Sequence, residues 1–302
     1  MKEIRHIPVL LNEVLDIFDA IQKTKPDKHI VLVDCTLGMG GHSSKLYEKL
    51  KKGTLVSLDL DLKSIQYCIN TYNFDSSSMP ISDGKNTFTI WKKIDEEKSW
   101  IIVHARFSQI ESVLNILGFY GYDLLLADLG FSNFQIKKTQ RGLSFDSKGN
   151  LSMNLSDSVD NKLRNLLKNK LLIRGVLQRY TDLPDHTIKR VVNNIANYQS
   201  ELNTNVDLIK AINLPKYIVR KVFVAFRIYS NDEEFELNTL INFISRQKSG
   251  VSLIITFSNF ESSLVEQGNY RFGIIEPNIK EILENDQARS AKLYKIYSSE
   301  SE

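Results

Sequence analysis

Three short apolar runs that each end in an aspartate constrain the fold of this chain more than any other feature. They are residues 29–34 (HIVLVD), 54–59 (TLVSLD) and 122–128 (YDLLLAD). Helical periodicity follows the first two runs, over residues 43–50 and 62–70. This alternation predicts a parallel sheet with helices on both faces, which is an α/β, Rossmann-like doubly wound fold.

The segment between the second and third runs departs from the alternation. Residues 71–100 are rich in Ser, Asn and Asp, which predicts a surface excursion in which a hairpin across Ser82-Asp83-Gly84 is one option. Core patterning resumes at residues 101–104 (IIVH). In the tail, residues 270–275 and 292–297 are predicted to be edge strands with a short helix between them.

A long helical interval precedes the next strand-like run, residues 251–257 (VSLIITF). Apolar residues recur at helical spacing through residues 151–214, which predicts an inserted helical subdomain. The predicted domains are therefore a first core part (1–145), a substrate-binding helical insert (146–215) and a second core part (216–302).

Composition excludes several classes of protein. The 302 residues carry a net charge of +3, which permits a polyanionic partner only where cations cluster. Cys35 and Cys68 are too few for a disulfide framework or a cysteine metal site, and the five histidines form no close-spaced ligand pair. No window approaches 18 uncharged apolar residues. We expect a soluble cytoplasmic protein without metal or membrane partner.

The loop after the first apolar run predicts a cofactor site. Gly38, Gly40 and Gly41 allow bare backbone to approach a ligand at a helix N-terminus. Asp59 follows Gly38 by 21 residues, close to the spacing at which an acid accepts hydrogen bonds from ribose hydroxyls. A dinucleotide fingerprint would require glycine where Ser43 stands, so S-adenosylmethionine is favoured over a nicotinamide cofactor.

Two further strand ends carry candidate site residues. Phe107 is either a core aromatic or a partner for an adenine face. Asp128 is followed by a glycine and flanked by Phe131 and Phe134.

Cations cluster in the predicted helical insert. Residues 161–180 contain six Lys or Arg residues and no acid, and Lys189 and Arg190 follow. This pattern is typical either of a track for phosphates or of a solvated helix face.

The chain resembles the RsmH (MraW) family of bacterial ribosomal RNA (cytosine-N4)-methyltransferases. The resemblance is carried, in order along the chain, by residues 6–14, 34–43, 59–61, 106–108, 128–130 with Gln135, 141–145, 227–228 with Asn231 and Glu233, and 285–292.

The resemblance implies a class I S-adenosylmethionine-dependent methyltransferase fold with an inserted helical domain. It implies N4-methylation of a cytidine in the decoding region of 16S ribosomal RNA, with the small ribosomal subunit as partner. The family's cofactor contacts would fall on Gly40, Gly41, His42, Asp59, Phe107, Asp128 and Gln135.

Methylation of an exocyclic amine requires an acceptor for the amine proton. Asp128, or the carbonyls of Leu129 and Gly130, would supply it, and Asn231 is the second predicted catalytic residue. The target base must leave its stack, so loop or single-stranded RNA is expected, with Phe131, Phe134 or Phe145 as a stacking partner or a core residue.

Three segments depart from the family pattern on the expected substrate side. They are residues 151–156 (LSMNLS), 220–226 (RKVFVAF) and 257–263 (FSNFESS). Family acids, an arginine and a histidine are lost there, at positions that include Ser152, Ser156, Ser258 and Ser262. A catalytically silent or retargeted cofactor-binding protein that binds RNA or the ribosome is therefore the alternative. A nicotinamide oxidoreductase is a third interpretation, which Ser43 disfavours.

Overall fold

In a computed structural model that describes residues 8–130, 142–143, 150–155, 162–198 and 201–298, the three apolar runs ending in aspartate are parallel neighbours in one sheet. The described strands are β1 (Ile30–Asp34), β2 (Gly53–Asp59), β3 (Met79–Ser82), β4 (Thr87–Asp95), β5 (Lys98–His104), β6 (Leu124–Asp128), β7 (Val251–Thr256), β8 (Arg271–Ile275) and β9 (Lys292–Tyr297).

The chain divides into two compact units. The sheet unit comprises residues 1–130 and 236–302, and the helical unit comprises residues 131–235. The described α-helices are α1 (Leu11–Thr24), α2 (Gly41–Lys49), α3 (Leu62–Thr71), α4 (Ile110–Ile116), α5 (Lys162–Leu167), α6 (Lys170–Tyr180), α7 (Asp185–Asn197), α8 (Asn205–Ile212), α9 (Lys216–Ser230), α10 (Glu233–Ser245), α11 (Asn259–Glu266) and α12 (Ile279–Glu284). None of these helices is long and apolar enough to cross a membrane.

The strand order is β3-β4-β5-β2-β1-β6-β7-β9-β8. The five central strands, β5 to β7 in this order, pair in parallel. From β1 the chain first adds β2 and β5 on one side and then β6 and β7 on the other. The order therefore reverses between β1 and β6, and ligands of doubly wound sheets bind outside the carboxyl ends of the strands at such a point.

Alternate residues of the central strands enter two separate cores. Leu32 and Leu55 belong to a core that includes residues of α1, α2 and α3, whereas Val33 and Val56 belong to one that includes residues of α4 and α10. The period of two along each strand thus buries both faces of the sheet under helices. This confirms the predicted α/β fold.

Residues 71–100 are mostly sheet rather than a loop excursion. β3 and β4 form a hairpin across Ser82-Asp83-Gly84, which was one option predicted from the sequence. β4 also pairs antiparallel with β5. Phe88 and Ile90 are buried on one face of β4. Two buried residues in a polar surrounding gave too weak a period for the sequence to predict the strand.

The tail strands form as expected, but one of the two edge assignments was wrong. β9 lies between β7 and β8, and its Tyr294 is fully buried. β8 is the edge strand. Lys292 and Lys295 made β9 resemble a half-exposed edge strand in the sequence. In the structure, β7 and β8 pair with the two edges of β9.

The helical unit, residues 131–235, is wider than the interval 146–215 inferred from the sequence. The difference at its C-terminal end has a clear cause. α9 places Ile218, Val222 and Phe226 in the same core as Leu166 of α5 and Ile188 of α7. Since these apolar residues recur every four positions, α9 completes the helical core rather than the sheet.

Candidate active site

The glycine-bearing loop connects β1 to the N-terminus of α2. Gly40 is the N-cap residue of α2 and has φ +75°. A Cβ at Gly40 would lie 2.5 Å from a ring carbon of Tyr72 and 3.2 Å from Cys68 Sγ. Any larger residue would both strain this backbone and collide with the Tyr72 ring. The loop therefore presents bare backbone at the first turn of a helix, as the sequence predicts.

Asp59, at the end of β2, holds this loop directly. Its Oδ2 accepts a hydrogen bond of 2.8 Å from the Gly38 backbone N–H, and its Oδ1 accepts one of 2.8 Å from Asp61 N–H. Burial raises the pKa of Asp59 to about 7, against the lowering effect of these two backbone donors. Each carboxylate oxygen keeps a second lone pair for a ligand hydroxyl.

A chain of buried hydrogen bonds anchors Asp34, at the end of β1. Ser43 Oγ donates to Asp34 Oδ2 over 2.6 Å and lies 2.7 Å from Ser57 Oγ, which accepts from Trp100 Nε1 over 2.9 Å. Asp34 Oδ1 accepts from the backbone N–H of Thr36. Because the Ser43 proton is given to Asp34, Ser57 must donate to Ser43, so all the donors point towards the carboxylate.

Asp128, at the end of β6, is held by its backbone and by one oxygen. Its N–H donates to Thr36 Oγ1 over 2.7 Å, and its Oδ2 lies 3.4 Å from His42 Nδ1. Its Oδ1 is buried and has no hydrogen-bond partner among the described residues. Gly130, two residues on, has φ +110°, and a Cβ there would lie 3.3 Å from the Phe257 ring. The strand end thus keeps one carboxylate oxygen free beside a tight turn.

Phe107 lies in a short 3-10 helix that follows β5. The ring is half-buried and packs against the core on the α4 side of the sheet. Glu236 fixes this turn by accepting hydrogen bonds from Arg106 Nη1 and from Ser108 N–H, each over 3.3 Å. Contact with an adenine face remains a prediction.

Asn231 lies in the helical unit and is buried. Its Nδ2 donates to the carbonyls of Met153 and Arg227, and its Oδ1 accepts from Leu155 N–H over 2.8 Å. The amide thereby secures residues 153–155 to the end of α9. These bonds show a structural role for Asn231, whose catalytic role stays a prediction.

Five residues singled out in the sequence lie outside the described residues: Phe131, Phe134, Gln135, Phe145 and Ser156. The contacts predicted for them remain predictions.

The substituted serines at the start of α11 have local structural roles. Ser258 is the N-cap residue and accepts from Glu261 N–H, while Glu261 Oε2 accepts from Ser258 N–H over 2.9 Å. Ser262 Oγ lies 2.9 Å from Thr256 Oγ1. These serines form a capping box and a buried hydroxyl pair, which stabilise the start of the helix.

Thr36, Ser57 and Trp100 belong to the site although the sequence did not single them out. Ser57 is a fully buried polar residue in a mostly apolar strand, and such a residue must find a hydrogen-bond partner. That requirement was a usable signal. The identity of its partners depended on the pairing of β2 with β5, which the residues alone do not give.

The assembled residues fit a ligand that carries a ribose and a positive charge. Asp59 offers lone pairs to hydroxyls, and Asp34 and Asp128 add two carboxylates beside the loop. The buried unpartnered Oδ1 of Asp128 calls for a donor or a cation that the described residues do not supply. S-adenosylmethionine has both ribose hydroxyls and a sulfonium. The sheet order, the loop and these strand-end carboxylates define a class I methyltransferase.

Comparison with known proteins gives the family. The model of the MraW methylase family matches residues 3–270. A Ribosomal RNA small subunit methyltransferase H from Mycoplasma mobile is 30% identical over 273 residues, which are 87% of this chain and 81% of the relative. The protein of that name from Mycoplasmopsis agalactiae is 28% identical over 96% of this chain and 97% of its own. The chain belongs to the MraW methylase family.

Membership of this family confirms the resemblance seen in the sequence. The chain is a methyltransferase, and S-adenosylmethionine is its cofactor. The nicotinamide interpretation was therefore wrong, as the serine at position 43 already suggested.

Cofactor affinity is expected to depend on pH through Asp59. Because the pKa of Asp59 is about 7, its carboxylate is mostly protonated at pH 6 and mostly ionised at pH 8. An ionised acceptor binds ribose hydroxyls more strongly, so the affinity for S-adenosylmethionine should rise roughly tenfold from pH 6 to pH 8. The bound proton stabilises the folded chain at low pH, and this contribution is lost as pH rises through about 7.

Isothermal titration calorimetry across this range measures the effect. Asp59→Asn carries no titrating group at this position and should give a flat profile. A wild-type profile that is itself flat would contradict the assignment.

Proposed function

We propose that this protein transfers a methyl group to N4 of a cytidine in the decoding region of 16S ribosomal RNA, with the small ribosomal subunit as substrate in the cytoplasm. The relatives that match most of the chain are named as ribosomal RNA small subunit methyltransferases. The observation that carries the proposal is the single free oxygen of Asp128 at the switch point of the sheet.

The reaction needs an electrophile, an aligned amine and a proton acceptor. S-adenosylmethionine supplies a methyl group on a positively charged sulfur. The N4 lone pair of cytosine would form the new bond to the methyl carbon as the carbon–sulfur bond breaks, its electron pair staying on sulfur in a neutral thioether, and N4 would lose one proton. Asp128 Oδ1 has a vacant lone pair to accept that proton, while Oδ2 faces His42. The carboxylate can also orient the amine by accepting a hydrogen bond before transfer.

The residues after β6 support this use of the strand end. Leu129 is buried and its N–H donates to the Ile255 carbonyl on β7 over 2.9 Å. Gly130, the next residue, has a positive φ of 110°. Asp128 is therefore held by rigid neighbouring strands, which limits the movement of the proposed acceptor.

Cations of the helical unit are proposed to contact RNA phosphates. The sequence indicated a cationic helix face without acidic residues, but acidic residues from other segments form ion pairs with some of these cations. Lys162 pairs with Asp232, Arg174 with Asp185 and Arg179 with Glu234. Exposed cations that have no ion-pair partner within the described ranges remain, namely Arg164, Lys168, Lys170, Lys189 and Arg190. The proposed phosphate track is therefore narrower than the sequence suggested.

Methyl transfer from labelled S-adenosylmethionine to small subunits that lack the modification tests the proposal. We expect one methyl group per subunit, which mass spectrometry of nuclease fragments assigns to a cytidine N4. Fully modified subunits and large subunits are the matched negative substrates. Subunit binding without methyl transfer at saturating cofactor would instead support the catalytically silent alternative.

Reversing two unpaired charges should weaken subunit binding. The double variant Arg164→Glu with Lys168→Glu removes two proposed phosphate contacts, so affinity should fall and the slope of log affinity against log salt should decrease by about 1.4. Filter binding at several salt concentrations measures both quantities. The matched control is Lys51→Glu with Lys85→Glu, which reverses two exposed charges of the sheet unit. Equal losses in the two double variants would show a general charge effect and refute the track.

A further inference from the structure

His42 occupies an unusual position in the first turn of α2. Its side chain is 5% exposed, although histidine is polar and titratable. The ring Nε2 lies 3.0 Å from the backbone carbonyl oxygen of Val9, and Nδ1 lies 3.4 Å from Oδ2 of Asp128. The two ring nitrogens therefore face two oxygen acceptors from different parts of the sheet unit.

This arrangement limits the proton count of the ring. A neutral imidazole donates from one nitrogen and accepts at the other, whereas an imidazolium donates from both. The carbonyl oxygen of Val9 cannot donate, and an ionised Asp128 cannot donate either. Both contacts are satisfied at once when each ring nitrogen carries a proton.

The charges around the ring favour the same state. The charged groups that face His42 are Asp128 on β6 and Asp34 on β1, and the segment before α1 contributes the Val9 carbonyl. Burial alone would lower the pKa of His42, but hydrogen bonding and the charges of the two aspartates outweigh it and raise that pKa.

We propose that His42 is a buried imidazolium that acts as a positioning residue: it binds Oδ2 of Asp128 and thereby leaves Oδ1 as the acceptor for the substrate amine. The role toward the amine rests on the proposed function. The protonation state of the ring does not rest on the proposed function, because the residues that determine it all belong to the sheet unit and need no bound ligand. These residues are Val9, Asp34, His42 and Asp128.

The geometry also separates the roles of the two Asp128 oxygens. If His42 were neutral and kept its proton on Nε2 for the Val9 carbonyl, Nδ1 would carry a lone pair, and Asp128 could bind that nitrogen only by donating a proton of its own. The carboxyl group would then be uncharged, and its Oδ1 would be a poor acceptor for an amine proton. The charge of His42 thus decides whether Asp128 can serve the reaction.

Nuclear magnetic resonance of the full chain labelled with ¹⁵N-histidine tests the ring state. In the wild-type protein at pH 7.5, we expect both ring nitrogens of His42 to carry protons. The exposed His186 is an internal reference in the same spectrum. His42→Asn assigns the resonance, and through-bond assignment of the wild-type protein replaces it if that variant does not fold.

Asp128→Asn provides the matched change, because it keeps the shape and removes the charge. We expect the proton affinity of His42 to fall at least tenfold in this variant. A neutral His42 in the wild-type protein, or an unchanged titration in Asp128→Asn, would overturn the inference.

The two proposals can fail separately. A neutral His42 in a protein that methylates small subunits would remove the positioning role alone. An imidazolium in a protein that transfers no methyl group would remove the proposed function, while the ring state would stand.

Discussion

Asp128→Asn is expected to reduce the rate of methyl transfer by about 10²- to 10⁴-fold, the usual contribution of a positioned proton acceptor. The amide has nearly the shape of the carboxylate but cannot accept a proton at neutral pH. The backbone bond from residue 128 to Thr36 and the order of the strand end should persist. Single-turnover transfer to unmodified small subunits, at saturating cofactor and enzyme, isolates the chemical step.

Asp75→Asn is the matched control, since Asp75 is an exposed aspartate of the sheet unit that accepts hydrogen bonds from the nearby Ser77. It should retain the wild-type rate. An Asp128→Asn rate within threefold of wild type would mean that the carbonyls of Leu129 and Gly130, or solvent, accept the proton instead.

Asp59→Ala is expected to weaken binding of S-adenosylmethionine by roughly 100-fold. The change removes an acceptor for ribose hydroxyls, and hydrogen bonds to a charged group contribute about 1.5 to 3 kcal/mol each. It also leaves the Gly38 N–H without its acceptor, so the loop loses an anchor. A loss of about 3 kcal/mol corresponds to the stated change in affinity.

Calorimetry of the purified variants measures this affinity directly. Asp27→Ala, at an exposed position before β1, should bind as the wild type does. Thermal unfolding of both variants without ligand shows whether the fold is intact. Unchanged affinity in a folded Asp59→Ala protein would refute the cofactor site at the end of β2.

The sequence predicted the central sheet because most residues of its strands are buried. Continuous apolar runs such as 29–34 and 122–128, separated by helical periods, admit few arrangements other than a parallel sheet. β4 escaped notice because only alternate residues of one face, Phe88 and Ile90, are deeply buried. The C-terminal limit of the helical unit was not predicted, because the apolar periodicity of α9 is the same whichever core the helix joins.

The features of the candidate site likewise divide into those that the sequence reveals and those that it does not. Glycines and acids at strand ends are visible in sequence, since a parallel sheet brings all its carboxyl ends to one edge. The partner of each group is not visible, because it depends on register and side-chain direction. Asp59 was predicted to bind a ribose, which stays a prediction, and the structure shows that it binds the Gly38 N–H. The proton count of His42 likewise required the positions of Val9 and Asp128.

The line of hydrogen bonds from Trp100 through Ser57 and Ser43 to Asp34 spans β5, β2, α2 and β1. Its members are up to 66 residues apart in the chain, so it can close only after β5 has docked beside β2. During synthesis, the methyl-donor loop would therefore leave the ribosome well before the tryptophan that completes its support. The complete support of the binding loop consequently requires a distant strand and not the loop's own residues alone.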